Sequence, residues 1–234
     1  MATVNEAGES PQYPGETPAA GVGGGAAAKP MLRGWLHLIL FQASLVLGTL
    51  ALSRAHGGTR ITALAVFTVS VSAMLGASAL YHRGNWSGAW HGRLQRLDHA
   101  MIFLLIAGTA TPAFLLAAHG SVRVAGLVAV WALTLTAGAV HMVWMNAPER
   151  LVGGTFLALG CVAGLGIPAV WRHSGAVAGA LMLAGGLLYI AGALSYHRRW
   201  PDPSPTVFGF HEVFHVYVSL AAACQYTAIA LFIA

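Results

Sequence analysis

Seven apolar runs, each close to the length of a membrane-crossing helix, constrain this chain more than any other feature. They cover residues 34–53, 61–81, 98–118, 123–144, 152–171, 176–196 and 212–233. A helix needs about 20 apolar residues to cross the hydrocarbon core of a bilayer. Lipid offers no partner to an unpaired backbone group, so such runs must be helices or the strands of a closed barrel. Because the sequence lacks the alternation of barrel strands, we predict an all-α, polytopic membrane protein, a bundle of seven transmembrane helices.

The composition also indicates a surface that faces lipid. Hydrophobic residues make up 57% of the chain and charged residues 8%, whereas about 25% charged is usual for a soluble domain. The formal net charge of +5 could suggest nucleic-acid binding, but the basic residues are scattered between the apolar runs and form no basic stripe. We therefore expect membrane lipids as partners and no nucleic acid. No feature of the sequence identifies a protein partner.

Two regions follow from the distribution of these runs. Residues 1–32 are rich in Gly, Pro and Ala and hold almost nothing to bury, so we predict a disordered tail. The acidic start and the lack of an apolar run before residue 34 argue against a secretory signal. Residues 33–234 are predicted to form the seven-helix transmembrane domain. Within it, Gly108, Pro112 and Pro168 should bend or loosen the third and fifth helices.

Lys and Arg residues near the helix ends predict the orientation in the membrane. Eight lie on the same side as the N-terminus and four on the other side. The first group is Lys29, Arg33, Arg83, Arg93, Arg96, Arg150, Arg198 and Arg199, and the second is Arg54, Arg60, Arg123 and Arg172. This bias predicts a cytoplasmic N-terminus and an outside C-terminus, in a multi-pass protein of the plasma (inner) membrane.

Helix parity brings several polar side chains to one membrane face. The second helix ends on the predicted cytoplasmic side, and the third and seventh begin there, so His82, Asp98, His211 and His215 share that face. His211 and His215 are spaced i, i+4 and project from one side of a helix, as two ligands of one metal ion would. A third ligand and an open position for water would make a catalytic zinc site. Asp98 could then orient the water or accept its proton.

The residues alone leave alternatives open. Eight histidines fall on the cytoplasmic half, and spacing does not select three of them. They are His37, His82, His91, His99, His141, His197, His211 and His215. Asp98, which follows Arg93 and Arg96, could instead cap the third helix.

Residues 211–215 also match the H-E-x-x-H signature of zinc proteases, in which the Glu is the general base. Such proteases need a further acidic or His ligand, often downstream. Residues 216–234 contain no Asp, Glu or His. An intramembrane metalloprotease therefore ranks last among the functions considered.

Four segments, in this order, resemble the hemolysin III branch of the progestin-and-adipoQ-receptor family. They are Ser78-Ala79-Leu80-Tyr81-His82, Leu97-Asp98-His99-Ala100, Gly108-Thr109-Ala110-Thr111-Pro112 and His211-Glu212-Val213-Phe214-His215. The resemblance covers roughly residues 33–234. It implies a seven-helix bundle with a zinc ion (Zn2+) near the cytoplasmic face, whose ligands are His82, His211 and His215.

By the same resemblance, Asp98 holds the zinc-bound water and Ser78 lies close behind the ligands. The family's eukaryotic receptors carry Gln where this chain has Glu212. That implies a supporting or helix N-terminal role for Glu212 rather than that of an obligatory base.

The resemblance extends to a wider group that includes alkaline ceramidases, which implies a zinc-dependent hydrolase of lipid amides or esters. Asp98 would then manage the proton, and Ser78 would donate a hydrogen bond to the developing oxyanion. The alternative is a non-enzymatic protein of membrane homeostasis, receptor-like signalling or membrane permeabilisation, in which zinc is structural. A structural zinc usually has four protein ligands, and His99 or His197 could supply the fourth.

Overall fold

The computed structural model describes residues 29–144 and 147–234, apart from the side chains of residues 149 and 150. Most of the predicted tail, residues 1–28 of 1–32, lies outside the described residues. The last residues of that stretch contact the loop before the seventh helix. There, the N–H groups of Met31 and Leu32 donate hydrogen bonds of 3.0 Å to the carbonyl oxygens of Thr206 and Val207.

Seven α-helices make up nearly all of the described chain, which confirms the predicted fold class. They are α1 (Trp35–Arg54), α2 (Gly58–Arg83), α3 (Ala89–Pro112), α4 (Gly120–Val143), α5 (Glu149–Gly164), α6 (Ile167–Arg198) and α7 (Phe210–Ala228). One π-helical turn follows α3 and another follows α7, at Ala113–Ala117 and Ile229–Ile233. Six of the helices are long and apolar enough to cross a membrane. The chain is therefore a multi-pass integral membrane protein.

The fifth and sixth helices meet at a different point from the one predicted. α5 ends at Gly164 and α6 begins at Ile167, so Pro168 lies in the first turn of α6. It does not bend the fifth helix there, because a proline at the start of a helix leaves no hydrogen bond unmade. Leu165 (φ −62°, ψ −17°) and residue 166 keep right-handed helical dihedrals, and the backbone leaves the helical region only at Gly175 (φ 88°, ψ 176°). The helical path that starts in α5 thus reaches residue 174, close to the predicted end of the fifth span.

α3 begins earlier than the apolar run predicts. The expected start is residue 98, whereas the helix begins at Ala89. Asp98 consequently lies more than two turns inside α3, and the interpretation of Asp98 as a helix cap is wrong. The two arginines in the added turns, Arg93 and Arg96, lower the hydropathy of the segment without preventing a helix.

Different helices form the core and the lipid-facing surface. α2 carries thirteen buried residues, whereas α1 carries three. Large apolar side chains such as Val46, Val128 and Leu135 are 61–64% exposed on α1 and α4. A surface of this kind suits lipid rather than water.

Gly34, just before α1, has φ 78°, and a Cβ there would lie 2.8 Å from the Cβ of His82. The start of α1 is thus packed directly against the end of α2.

Candidate metal centre

Three histidine side chains converge between α2 and α7. His82 lies in the last turn of α2, and His211 and His215 lie in the first two turns of α7. The Nε2 atom of His211 is 3.2 Å from Nε2 of His82 and 3.1 Å from Nε2 of His215. The three ligand atoms all lie within 4.8 Å of one another, and His82 and His215 are buried. Residues separated by 129 positions are thus brought together at one end of the bundle, as helix parity predicts.

This geometry fits a tetrahedral metal ion. Zn–N bonds of about 2.0–2.1 Å place the nitrogens of two ligands about 3.3 Å apart, close to the two observed distances. A neutral imidazole nitrogen either donates or accepts one hydrogen bond, so three Nε2 atoms facing a common point cannot all satisfy one another. A cation at that point would accept all three lone pairs. An all-imidazole set of this kind suits zinc, copper, iron or nickel.

A carboxylate lies beside the three histidines. Oδ2 of Asp98 is 3.5 Å from Nε2 of His82, and the Asp98 side chain is 13% exposed. Among the described residues, only the three histidines form the group whose ligand atoms are all mutually close, so Asp98 adjoins that group without being part of it. The structure therefore brings together the four residues His82, Asp98, His211 and His215.

Ser78 contacts a histidine that the sequence did not single out. Its Oγ atom is 2.9 Å from Nδ1 of His37, a residue of α1. The His37 ring in turn stacks on the ring of His215, with centroids 3.9 Å apart and planes 15° from parallel. Ser78 therefore reaches the three histidines through His37. No spacing signal could have selected His37, because it is a lone histidine on its helix.

Glu212 has both carboxylate oxygens engaged. Oε2 accepts a 2.8 Å hydrogen bond from the N–H of Gly209, the residue just before α7, and so satisfies a backbone donor at the start of that helix. Oε1 forms an ion pair with Nε of Arg33. An acidic group in the first turn of a helix is favourable because it faces the positive end of the helix dipole. Glu212 thus anchors the turn that carries His211, in agreement with a helix N-terminal role.

Replacing Glu212 by glutamine separates this anchoring role from that of a general base. Glutamine keeps an oxygen that can accept the hydrogen bond from the N–H of Gly209, although it cannot form the ion pair with Arg33. If Glu212 only anchors the helix, Glu212→Gln should therefore retain the metal and full function. We expect its free energy of unfolding to fall by about 1–3 kcal/mol. Metal analysis and thermal unfolding in detergent would measure both effects. Loss of function with the metal retained would instead support the protease interpretation.

The other histidines of this end of the bundle lie outside the group of three. Nδ1 of His99 is 3.1 Å from Nε2 of His141, so His99 pairs with α4. His91 lies 3.4 Å from the Tyr81 hydroxyl. His197 is exposed near the end of α6. Neither His99 nor His197 joins the three-histidine group within the described part of the chain.

Comparison with known proteins gives one family. The family model described as "Haemolysin-III related" matches residues 26–226. A protein of Oryza sativa subsp. japonica named "Heptahelical transmembrane protein ADIPOR2" is 35% identical over 188 residues, which are 70% of this chain and 79% of the relative. "Hemolysin-3" of Bacillus cereus is 25% identical over 183 residues, which are 76% of this chain and 78% of the relative. No solved structure matches the chain.

Proposed function

Because the chain belongs to the haemolysin-III related family, we propose that it is a zinc-dependent hydrolase of lipid amides or esters. The observation that carries this proposal is the convergence of three imidazole nitrogens beside a carboxylate that is not one of the group. Three protein ligands leave one position open, as in catalytic zinc sites. Bound zinc would supply a Lewis acid that activates water and polarises a carbonyl. The position within a membrane protein favours a lipid substrate.

Each residue of the candidate site would have its own role in hydrolysis. His82, His211 and His215 would hold the ion. Asp98, whose Oδ2 lies 3.5 Å from a ligand nitrogen, would orient the attacking water and take up its proton. Of the two roles expected for Ser78, its contact with His37 favours support of the ligands over donation to an oxyanion.

A lipid profile tests the proposal. Purified protein in mixed-lipid vesicles would be incubated with ceramide-like amides and with ester lipids, with and without a metal chelator. The proposal expects cleavage of one of these classes that stops when metal is removed. Absence of cleavage from a chain with a full complement of zinc would contradict it.

A second candidate is a non-enzymatic membrane protein in which zinc joins helices. His82 lies on α2 and the other two histidines on α7, so one ion would link distant parts of the chain. The relative from Bacillus cereus is named "Hemolysin-3", which favours membrane permeabilisation within this alternative. Release of a dye from vesicles by a chain that cleaves no lipid would support it. A metalloprotease ranks below both, because the Glu212 carboxylate is already engaged.

We further propose that the three histidines face the cytoplasm of a bacterial plasma membrane. Single cysteines can test this in a chain whose Cys161 and Cys224 are replaced by alanine. Ser87→Cys lies in the exposed loop between α2 and α3, and His56→Cys lies in the exposed loop between α1 and α2. In intact cells, an impermeant maleimide should label His56→Cys and spare Ser87→Cys until the membrane is opened. The reverse pattern would show the opposite orientation.

A further inference from the structure

His37 lies flat against one of the three metal-binding histidines. It belongs to α1, which supplies no residue to the group of three, and it is 2% exposed. Its ring centroid is 3.9 Å from that of His215, and the planes differ by 15°. A stack this close restricts rotation of the His215 ring about its side-chain bonds. The orientation of that ring decides where its Nε2 lone pair points.

The opposite edge of the His37 ring is fixed by α2. Nδ1 of His37 and Oγ of Ser78 are 2.9 Å apart, and both residues are buried. One hydrogen bond and one stacked face therefore hold the His37 ring between α2 and α7. We refer to Ser78 and His37 together as the histidine support.

The remaining nitrogen of His37, Nε2, is also buried. The whole ring is therefore enclosed by protein, and its contacts with Ser78 and His215 fix its orientation.

We propose that the histidine support is a positioning device that sets the ring orientation of His215 and thereby the affinity and geometry of the metal site. The inference rests on the proposed metal centre of His82, His211 and His215. Residues that orient metal ligands typically change metal affinity by about 10- to 100-fold when they are removed. His37 and Ser78 are thus positioning residues, and Ser78 acts through His37.

Cobalt titration of the full chain in detergent tests this proposal, because Co2+ in a zinc site absorbs visible light in a way that reports ligand geometry. His37→Ala should weaken cobalt binding by about 10- to 100-fold and change the spectrum at saturating cobalt. His37→Phe keeps a flat ring against His215, so it should restore the wild-type spectrum and most of the affinity. Ser78→Ala should weaken binding by roughly 3- to 10-fold, the effect of one hydrogen bond.

A double-mutant cycle identifies the path of the Ser78 effect. If Ser78 acts through His37, Ser78→Ala should have no further effect on cobalt affinity in the His37→Ala chain. Ser72→Ala is the matched control, because Ser72 Oγ pairs with Ser44 Oγ at 2.8 Å and so makes a similar α1–α2 contact away from the metal centre. This control should bind cobalt like the wild type.

Four results would overturn the proposal. Wild-type cobalt affinity and spectrum in His37→Ala would show that the stacked ring does not position His215. Additive losses of cobalt affinity in the double variant would show that Ser78 does not act through His37. If His37→Ala does not fold, wild-type cobalt affinity in Ser78→Ala would show that the histidine support does not set the metal affinity. A wild-type chain that binds no cobalt would remove the metal centre and the support with it, whereas the first two results leave the metal centre in place.

Discussion

Replacing His211 by alanine is expected to abolish stoichiometric zinc binding and to lower the melting temperature of the protein. Its Nε2 atom is within 3.2 Å of Nε2 of both other histidines, so the substitution removes the central member of the group. Two imidazoles cannot hold zinc at the low free concentrations available in a cell. A ligand present at 100 to 1,000 times its Kd stabilises the native state by about 3–4 kcal/mol. We expect the variant to lose about this much, and His215→Ala should behave in the same way.

Metal analysis and thermal unfolding of the purified chain would measure both losses. His197→Ala is a suitable control, because His197 is exposed near the end of α6 and lies outside the three-histidine group. It should retain its full complement of zinc. The metal centre would have to be abandoned if His211→Ala kept its full complement of zinc.

Replacing Asp98 by asparagine should abolish lipid hydrolysis and leave zinc in place. Asparagine has nearly the same shape as aspartate but cannot accept a proton from the attacking water. Loss of a positioned general base typically costs 10²- to 10⁴-fold in rate. Because Asp98 adjoins the three histidines without joining their group, metal content should remain at the wild-type level. Turnover of a labelled lipid and metal content would be measured on the same preparation.

Asp202→Asn provides the control for this substitution. Oδ1 of Asp202 accepts a 2.8 Å hydrogen bond from the N–H of Phe210 at the start of α7. Asparagine can accept the same bond, so both activity and zinc should persist. Full hydrolysis by Asp98→Asn would contradict the catalytic role of Asp98. Loss of zinc from Asp98→Asn would instead place Asp98 among the ligands and favour structural zinc.

The apolar runs predict the helices well because the membrane imposes a length and a composition that hydropathy detects. The segment from Ala89 to Leu97 is one of two exceptions. It contains Arg93, Gln95 and Arg96, which hydropathy scores as loop although the helix simply extends beyond the apolar span. The junction of α5 and α6 is missed for a related reason. Gly164, Gly166 and Pro168 mark a helix end and a helix start there, but the apolar run continues across the junction, so hydropathy alone does not divide it.

The candidate site could be predicted in part. The i, i+4 spacing of His211 and His215 and the parity of the helices place the candidate ligands on one membrane face, and the family resemblance selects His82. The contact between His37 and His215 depends on how α1 packs beside α7, and no local pattern encodes it. The same holds for the ion pair of Arg33 with Glu212, which joins residues 179 positions apart.

X-ray absorption at the zinc edge would test the central claim most directly. Protein purified without added metal should contain about one zinc per chain, with three imidazole nitrogens and one oxygen at roughly 2.0–2.1 Å. No zinc in the purified chain would contradict the metal centre. A zinc with sulfur neighbours near 2.3 Å would place the ion at Cys161 or Cys224 and would contradict the assignment to His82, His211 and His215.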